Sequence, residues 1–198
     1  MSRQLYLDCQ YLKASCVCVA IKPITHQTQV VILQHPSEIK HPKNTVKLLS
    51  LLLEHLTIAV GETPQDFKDI QERLSNPKAD ASLVFPTQHS KPLSAVGSDQ
   101  VKSPKTLVLI DGSWRKAKKI FYLNPWLNAL PCIALEKQQS IYQIRKTRMK
   151  GSMSTLEATA QCLQHLEGTH ITPFNTALKA MMDNHLRYIN LKAPKKDK

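Results

Sequence analysis

The amino-acid sequence predicts an α/β fold with a mostly parallel sheet flanked by helices. Short apolar runs typical of buried strands alternate along the chain with segments of helical periodicity, which is the pattern of a parallel sheet joined by crossover helices. The predicted strands are residues 30–33, 57–60, 83–85, 107–110 and 133–135. Because no internal repeat and no second-domain boundary interrupts this alternation, residues 1–190 are predicted to form a single domain.

Each predicted helix begins at a residue that favours a helix start. The helices are expected from Asn44 or Thr45 to about residue 56, from Thr63 onward, from Ser113 to about residue 122, from Ser154 to about residue 165, and from Pro173 to about residue 188. Pro64 follows Thr63 at a first helical position, which suits its fixed φ angle. Glu157 follows Ser154 by three residues, which predicts a capping box.

Three segments lie outside this pattern. Residues 1–29 form an N-terminal segment that contains three of the five cysteines. Residues 86–105 hold Pro, Ser, Gly and Lys without periodicity and are predicted to form a long surface loop. Residues 191–198 form a basic tail that is predicted to be disordered.

Composition favours a polyanionic partner. The 198 residues carry 27 Lys and Arg against 15 Asp and Glu, a formal charge of +12, and we interpret this as favouring nucleic acid over a merely basic surface. An aromatic content of 6% argues against a broad base-stacking platform. The longest apolar stretch, residues 48–53, is too short to span a bilayer, and no signal segment begins the chain. We therefore expect a cytoplasmic protein with reduced cysteines and no membrane partner.

The most informative segment is Asp111-Gly112-Ser113-Trp114. It follows the apolar run 107–110 and precedes a cluster of cations at 115–119. In open α/β sheets ligands bind at the carboxyl ends of strands, where a glycine allows close approach of the backbone and a capping serine leaves helix-start N–H groups for an anion. Desolvation there would raise the pKa of the Asp111 carboxyl group, which suits a general base, although a strand-end Asp can also simply cap the next helix.

These residues carry a resemblance to a family. The segment 111–114 is similar to the Asp-x-Thr-Trp signature of DTW-domain proteins, the tRNA-uridine aminocarboxypropyltransferases, with Ser113 keeping the hydroxyl of the Thr. Residues 35–38, 44–49, 145–146 and 154–158 resemble other segments of that family, in the same order. The resemblance implies a SPOUT-like fold with a C-terminal trefoil knot. It also implies transfer of the 3-amino-3-carboxypropyl group of S-adenosylmethionine to N3 of a uridine in tRNA. The alternatives are an S-adenosylmethionine-dependent RNA methyltransferase and a non-catalytic RNA-binding protein.

The resemblance and the basic clusters suggest roles for individual residues. The predicted catalytic residues are Asp111, Ser113 and Trp114. The predicted cofactor-binding residues are His35, Glu38, Asn44, Thr45, Ile110, Gly112, Ser154, Thr155 and Glu157. The predicted RNA-binding residues are Arg115, Lys118, Lys119, Arg145, Lys146, Arg148 and Lys150.

Several of these residues have a structural alternative. Trp114 either stacks on a base or fills the seam between helix and sheet, and His35 either contacts the substrate or anchors its loop. Asn44 and Thr45 are expected to be helix caps as well as cofactor contacts. The cations after Trp114 either contact ligand or form a solvated helix face.

The cysteines predict no bound metal. Cys9, Cys16 and Cys18 match three positions of a four-cysteine cluster found in many DTW proteins, but the remaining position is Tyr6, a poor zinc ligand. A closed structural zinc site needs four sulfur or nitrogen ligands, and His26 is a substitute only if the fold brings it close. Cys132 and Cys162 are interpreted as small buried hydrophobic residues.

Overall fold

A six-stranded parallel sheet forms the centre of the protein. The computed structural model describes residue 9 and residues 11–99, 101–136, 141–142 and 153–192. The strands are β1 (Gln29–Gln34), β2 (Leu56–Val60), β3 (Ala81–Val84), β4 (Lys91–Pro92), β5 (Thr106–Asp111) and β6 (Cys132–Ala134). Their order across the sheet is β2-β1-β5-β3-β6-β4, and every neighbouring pair is parallel, which confirms the predicted α/β class.

Five α-helices accompany the strands in the described part of the chain. They are α1 (Val46–Leu52), α2 (Lys68–Leu74), α3 (Trp114–Leu123), α4 (Thr155–Glu167) and α5 (Thr172–Lys192). The predicted capping box of α4 is present, and the helix ends at Gly168, whose φ of 68° is in the left-handed region that glycine tolerates.

Three helix bounds differ from the prediction. α5 runs to Lys192, past the predicted residue 188, and so includes the first two residues of the predicted tail 191–198. α1 ends at Leu52, before the predicted residue 56, because Leu53 is extended and forms a parallel bridge with Ile24. α2 begins at Lys68 and not at Thr63, because the Asp66 carboxylate accepts hydrogen bonds from the N–H groups of Glu62 and Thr63. These bonds hold residues 62–66 in a turn that precedes the helix.

The prediction of a surface loop at residues 86–105 is corrected in part. This segment contains β4, which pairs with β6, and a short 3₁₀ helix, Leu93–Ala95. Leu93 and Val96 are buried in the core. Two apolar residues three positions apart are too short a pattern to predict an element, although they are enough to fix this segment to the sheet.

The helices divide between the two faces of the sheet. α1, α4 and α5 pack on the face that presents Val30, Ile32 and Leu109. α2 and α3 pack on the opposite face, against Val31, Leu33 and Val108. α1 follows β1 and α3 follows β5, so the chain leaves these neighbouring strands toward opposite faces. This arrangement is a topological switch point, and it opens a crevice outside the carboxyl ends of β1 and β5.

The trefoil knot implied by the resemblance stays a prediction, because residues 137–140 and 143–152, between β6 and α4, lie outside the described residues. Within the described ranges, no helix has both the length and the apolar character needed to cross a bilayer.

Candidate active site

Asp111 is the last residue of β5 and lies in the switch-point crevice. One oxygen of its carboxylate, Oδ2, accepts a hydrogen bond from Nε2 of Gln34 at 2.9 Å. The other oxygen, Oδ1, accepts one from the hydroxyl of Thr155 at 2.6 Å. The residue is only 9% exposed. A strand on one side and a helix start on the other therefore fix the orientation of a buried carboxylate.

Gln34 is a site residue that the sequence analysis missed. It ends β1 in the same register at which Asp111 ends β5, and the ladder continues one step further, where the N–H of His35 donates to the Asp111 carbonyl. Gln34 is buried, and its Nε2 also lies 3.4 Å from Oδ1 of Asn44. The sequence signal was a single polar residue at the end of an apolar strand.

Asn44 and Thr45 lie beside this pair at the start of α1. Oδ1 of Asn44 accepts hydrogen bonds from the N–H groups of Val46 at 2.9 Å and Lys47 at 3.3 Å, which confirms the predicted cap. Thr45 is buried and makes no side-chain capping bond. Asn44 therefore connects the start of α1 to Gln34 and through it to Asp111.

The start of α4 forms the other wall of the crevice. Ser154 is buried, and its hydroxyl and N–H both donate to one carboxylate oxygen of Glu157. The second oxygen of Glu157 accepts from the N–H groups of Ile141 and Tyr142. Ser154 and Glu157 thus hold the local structure, while Thr155 directs its hydroxyl to Asp111.

Gly112 allows close packing between two loops and a helix. A Cβ atom at this position would lie 3.1 Å from Cβ of Lys116 and 3.6 Å from Cβ of His35. A side chain here would therefore crowd Lys116 in the first turn of α3, whereas the turn after β1 lies at ordinary van der Waals distance. Ile110, another predicted cofactor residue, packs its side chain against the core on the α2/α3 face.

His35 anchors its loop. Its Nδ1 accepts a hydrogen bond from the N–H of Ser37 at 3.1 Å, so Nε2 carries the ring proton and donates it to the Glu62 carboxylate. Glu38, in the same loop, accepts from Nζ of Lys116 at 3.0 Å. Both side chains are therefore bonded within the protein, as the structural alternative for His35 predicted.

Glu62 is a second residue that the sequence analysis missed. It follows β2 and accepts hydrogen bonds from Lys119 of α3 and from His35. The hydrogen bond and the positive charge of Lys119, together with the hydrogen bond from His35, hold the pKa of the Glu62 carboxyl group below its ordinary value. Glu62 joins the loops after β1 and β2 to α3.

Ser113 and Trp114 begin α3. Ser113 occupies the predicted N-cap position, but its hydroxyl makes no capping hydrogen bond. Trp114 stacks on Phe85 with a ring-centroid distance of 5.4 Å and an interplanar angle of 19°, and 38% of its surface remains exposed. Trp114 is therefore packed against the sheet and still accessible to a ligand.

The sequence model of the DTW domain matches residues 6–189 of this chain. The chain belongs to the DTW-domain family. No solved structure gives a significant match to it.

Three curated relatives are similar in sequence to this chain over most of its length. The chain is 37% identical over 183 residues to tRNA-uridine aminocarboxypropyltransferase 2 of Drosophila melanogaster, an alignment that covers 85% of this chain and 71% of the relative. It is 29% identical over 164 residues to the protein of the same name in Mus musculus, covering 80% of this chain and 55% of the relative. It is 26% identical over 196 residues to tRNA-uridine aminocarboxypropyltransferase A of Arabidopsis thaliana, covering 83% of this chain and 73% of the relative. The chain thus spans about half the length of the mouse protein.

The predicted RNA-binding cations of this DTW domain fall into three groups. Lys119 pairs with Glu62, as Lys116 pairs with Glu38. Arg115 and Lys118 are exposed, and neither pairs with a carboxylate in the described part of the chain. Arg145, Lys146, Arg148 and Lys150 lie outside the described residues.

The DTW cysteine cluster is assembled with three sulfurs. The Sγ atoms of Cys9, Cys16 and Cys18 lie within 4.8 Å of one another, and no fourth ligand atom from His, Cys, Asp or Glu of the described residues joins them. His26 does not complete the set, because its Nδ1 contacts the carbonyl of Thr28 and its Nε2 accepts from the N–H of His55. The absence of a bound metal stays a prediction.

The other two cysteines lie apart from this cluster. Cys162 is buried as predicted, and burial raises the pKa of its thiol to about 12. Cys132 is half-buried and packs against the core on the α2/α3 face.

Proposed function

We propose that this chain is a tRNA-uridine aminocarboxypropyltransferase, which transfers the 3-amino-3-carboxypropyl group of S-adenosylmethionine to N3 of a uridine in tRNA. The observation that carries the proposal is Asp111, a buried carboxylate oriented by Gln34 and Thr155 in the switch-point crevice. It is supported by the family of the chain and by the names of its relatives.

Asp111 is the group that we assign to proton removal. The N3–H of uridine is neutral and a poor nucleophile, so the reaction needs a base within hydrogen-bond reach of that proton. Among the described residues, an amide and a hydroxyl donate to the Asp111 carboxylate, one to each oxygen, and they hold it in a fixed orientation. Asp111 would take the proton from N3 and leave that nitrogen as the nucleophile.

The charged and hydrogen-bonding groups of the crevice fit S-adenosylmethionine. When bound, this cofactor supplies a carbon attached to a sulfonium sulfur that departs as a neutral thioether. The Asp111 carboxylate is complementary to a sulfonium cation, and the Ser113 hydroxyl, which makes no capping bond, can donate to the cofactor carboxylate beside the first N–H groups of α3.

We assign different tasks to the predicted cofactor residues. Gly112, Thr155 and Asn44 surround Asp111 and would line the cofactor site. His35, Glu38, Ser154 and Glu157 would act by holding its walls, because their side chains bond within the protein. A SPOUT-like knot between β6 and α4 belongs to the same proposal, as does tRNA as the partner.

The test is product identification. The protein is incubated with S-adenosylmethionine and an unmodified tRNA transcript, the RNA is digested to nucleosides, and their masses are measured, with a reaction lacking S-adenosylmethionine as the control. A uridine that carries the aminocarboxypropyl group is the expected product. A methylated nucleoside would replace the proposal with a methyltransferase, and RNA binding without any product would replace it with a non-catalytic RNA-binding protein.

A further inference from the structure

One exposed face of α3 combines aromatic rings with cations. Tyr122 is 73% exposed and Trp114 is 38% exposed, and both Arg115 and Lys118 are exposed. Nζ of Lys118 lies 5.5 Å from the centre of the Trp114 ring. We name the set Trp114, Arg115, Lys118 and Tyr122 the α3 stripe.

Helix geometry separates the α3 stripe from the other side chains of the helix. At about 100° per residue, the four stripe residues fall within an arc of about 100°. Ala117, Ile120 and Phe121 are buried and lie on a second arc against the sheet. Lys116 and Lys119 lie on a third arc, where Glu38 and Glu62 neutralise them. The stripe is therefore the part of α3 that neither the core nor the ion pairs use.

The rings of the stripe are held in place from beneath. Trp114 stacks on Phe85, and Phe85 stacks on Phe121 with a centroid distance of 4.7 Å. Tyr122 contacts the Phe121 ring in an edge-to-face arrangement at 5.6 Å. Rings that are already ordered lose little conformational freedom on binding, which favours stacking on a planar ligand.

We infer that the α3 stripe binds the unpaired nucleotides that flank the modified uridine of the RNA substrate. The inference rests on the proposed function, because it assumes that RNA enters at Asp111. The stripe begins three residues after Asp111 and extends along α3 for about 12 Å, which matches roughly three to four nucleotides of one strand that remain stacked at the duplex spacing of about 3.4 Å. Lys118 and Arg115 neutralise phosphates, and Trp114 and Tyr122 stack on bases.

The charge of α3 favours RNA over an acidic peptide as the occupant. The helix carries four cations and no acidic residue, and the two cations that remain unpaired with carboxylates in the described structure lie between the rings of Trp114 and Tyr122. Acidic peptides need cations alone, whereas two exposed rings with cations between them match bases that are joined by phosphates.

The experiment measures the affinity of the full chain for an unmodified tRNA transcript without S-adenosylmethionine, over a series of salt concentrations. The variants are Tyr122→Ala, Tyr122→Phe and Lys118→Ala. The control is Lys105→Ala, which removes an equal charge from an exposed residue at the amino end of β5, the opposite edge of the sheet. Because all these side chains are exposed or partly exposed, thermal unfolding should show folded variants with little change in Tm.

Tyr122→Ala should weaken binding about fivefold or more, and Tyr122→Phe should keep the affinity within roughly twofold, since the ring still stacks. Lys118→Ala should reduce the slope of log affinity against log salt by about 0.7 to 0.9, the loss of one phosphate contact. Lys105→Ala should leave affinity and slope unchanged.

The inference would be overturned if Tyr122→Ala and Lys118→Ala bound the tRNA transcript as tightly as Lys105→Ala does. The α3 stripe would then be available to a protein partner. Transfer of the aminocarboxypropyl group by the wild-type protein is measured separately. If the stripe variants lose RNA affinity but the wild-type protein gives no transfer product, the proposed function would be refuted and the α3 stripe would remain an RNA-binding surface. If the wild-type protein transfers the group and the stripe variants bind RNA with normal affinity, only the RNA-binding role of the α3 stripe would be refuted.

Discussion

Gln34 and Asp111 end neighbouring parallel strands in the same register, and the Gln34 amide donates to the Asp111 carboxylate at 2.9 Å. The two side chains lie where the chain leaves β1 and β5 toward opposite faces of the sheet. Because a parallel sheet brings the carboxyl ends of its strands to one edge, residues 77 positions apart in the sequence form one polar pair. The pair makes Gln34 a positioning residue for the proposed base.

Gln34→Met should lower kcat about tenfold and leave the KM for tRNA nearly unchanged, because Met keeps the volume and removes one of the donors that orient Asp111. The matched control is Gln29→Met, at the exposed start of the same strand. A large fall in Tm, or a loss of kcat in Gln29→Met equal to that in Gln34→Met, would show that Gln34 is merely structural.

Glu62 predicts a pH dependence of stability. Its pKa is lowered in the folded protein, first by the hydrogen bond from Lys119 and also by His35. The resulting stabilisation is therefore fully present above the unfolded pKa of about 4.3 and is lost as the pH falls through the lower folded value. The Tm of the wild type should exceed that of Glu62→Gln at neutral pH, and this difference should close progressively below about pH 4.

The control for this measurement is Glu72→Gln, which removes an exposed carboxylate whose only recorded ion pair in the described structure is with Lys68 at 3.9 Å. That substitution should change Tm little at any pH. A constant difference between the wild type and Glu62→Gln across the whole range would mean that the carboxylate charge does not stabilise the fold.

The elements that the sequence predicted are those with a local cause. The strand ending at Asp111 and the capping box of Ser154 and Glu157 are each encoded by a few adjacent residues, and the structure confirms them. The position of Asp111 at the carboxyl end of a buried strand could be predicted for the same reason.

The elements that the sequence did not predict depend on contacts between distant segments. The hydrogen bonds of Gln34 with Asp111 and of Glu62 with Lys119 follow from strand order, which no local pattern specifies. The late start of α2 is an exception with a local cause, because the Asp66 carboxylate accepts from the N–H of Thr63 and so competes with the helix start that Thr63 and Pro64 predicted.

The three cysteines give a prediction about metal content. The purified protein should contain no stoichiometric zinc, because Cys9, Cys16 and Cys18 supply only three sulfurs and His26 is engaged elsewhere. A site with three protein ligands is open to water and to exchange. The measurement is elemental analysis of protein expressed with added zinc. One zinc per chain that is lost in Cys16→Ser would contradict this expectation.

The most direct test of the account is the turnover of Asp111→Asn with saturating S-adenosylmethionine and tRNA. The substitution is nearly isosteric, and the Gln34 amide and Thr155 hydroxyl can still bond to the new side chain, so folding should be retained. Saturating S-adenosylmethionine compensates for the weaker attraction of the neutral side chain to the sulfonium. We predict a fall in kcat of about 10²- to 10⁴-fold, the usual contribution of a general base. Wild-type turnover in this variant would contradict the claim that Asp111 removes the proton.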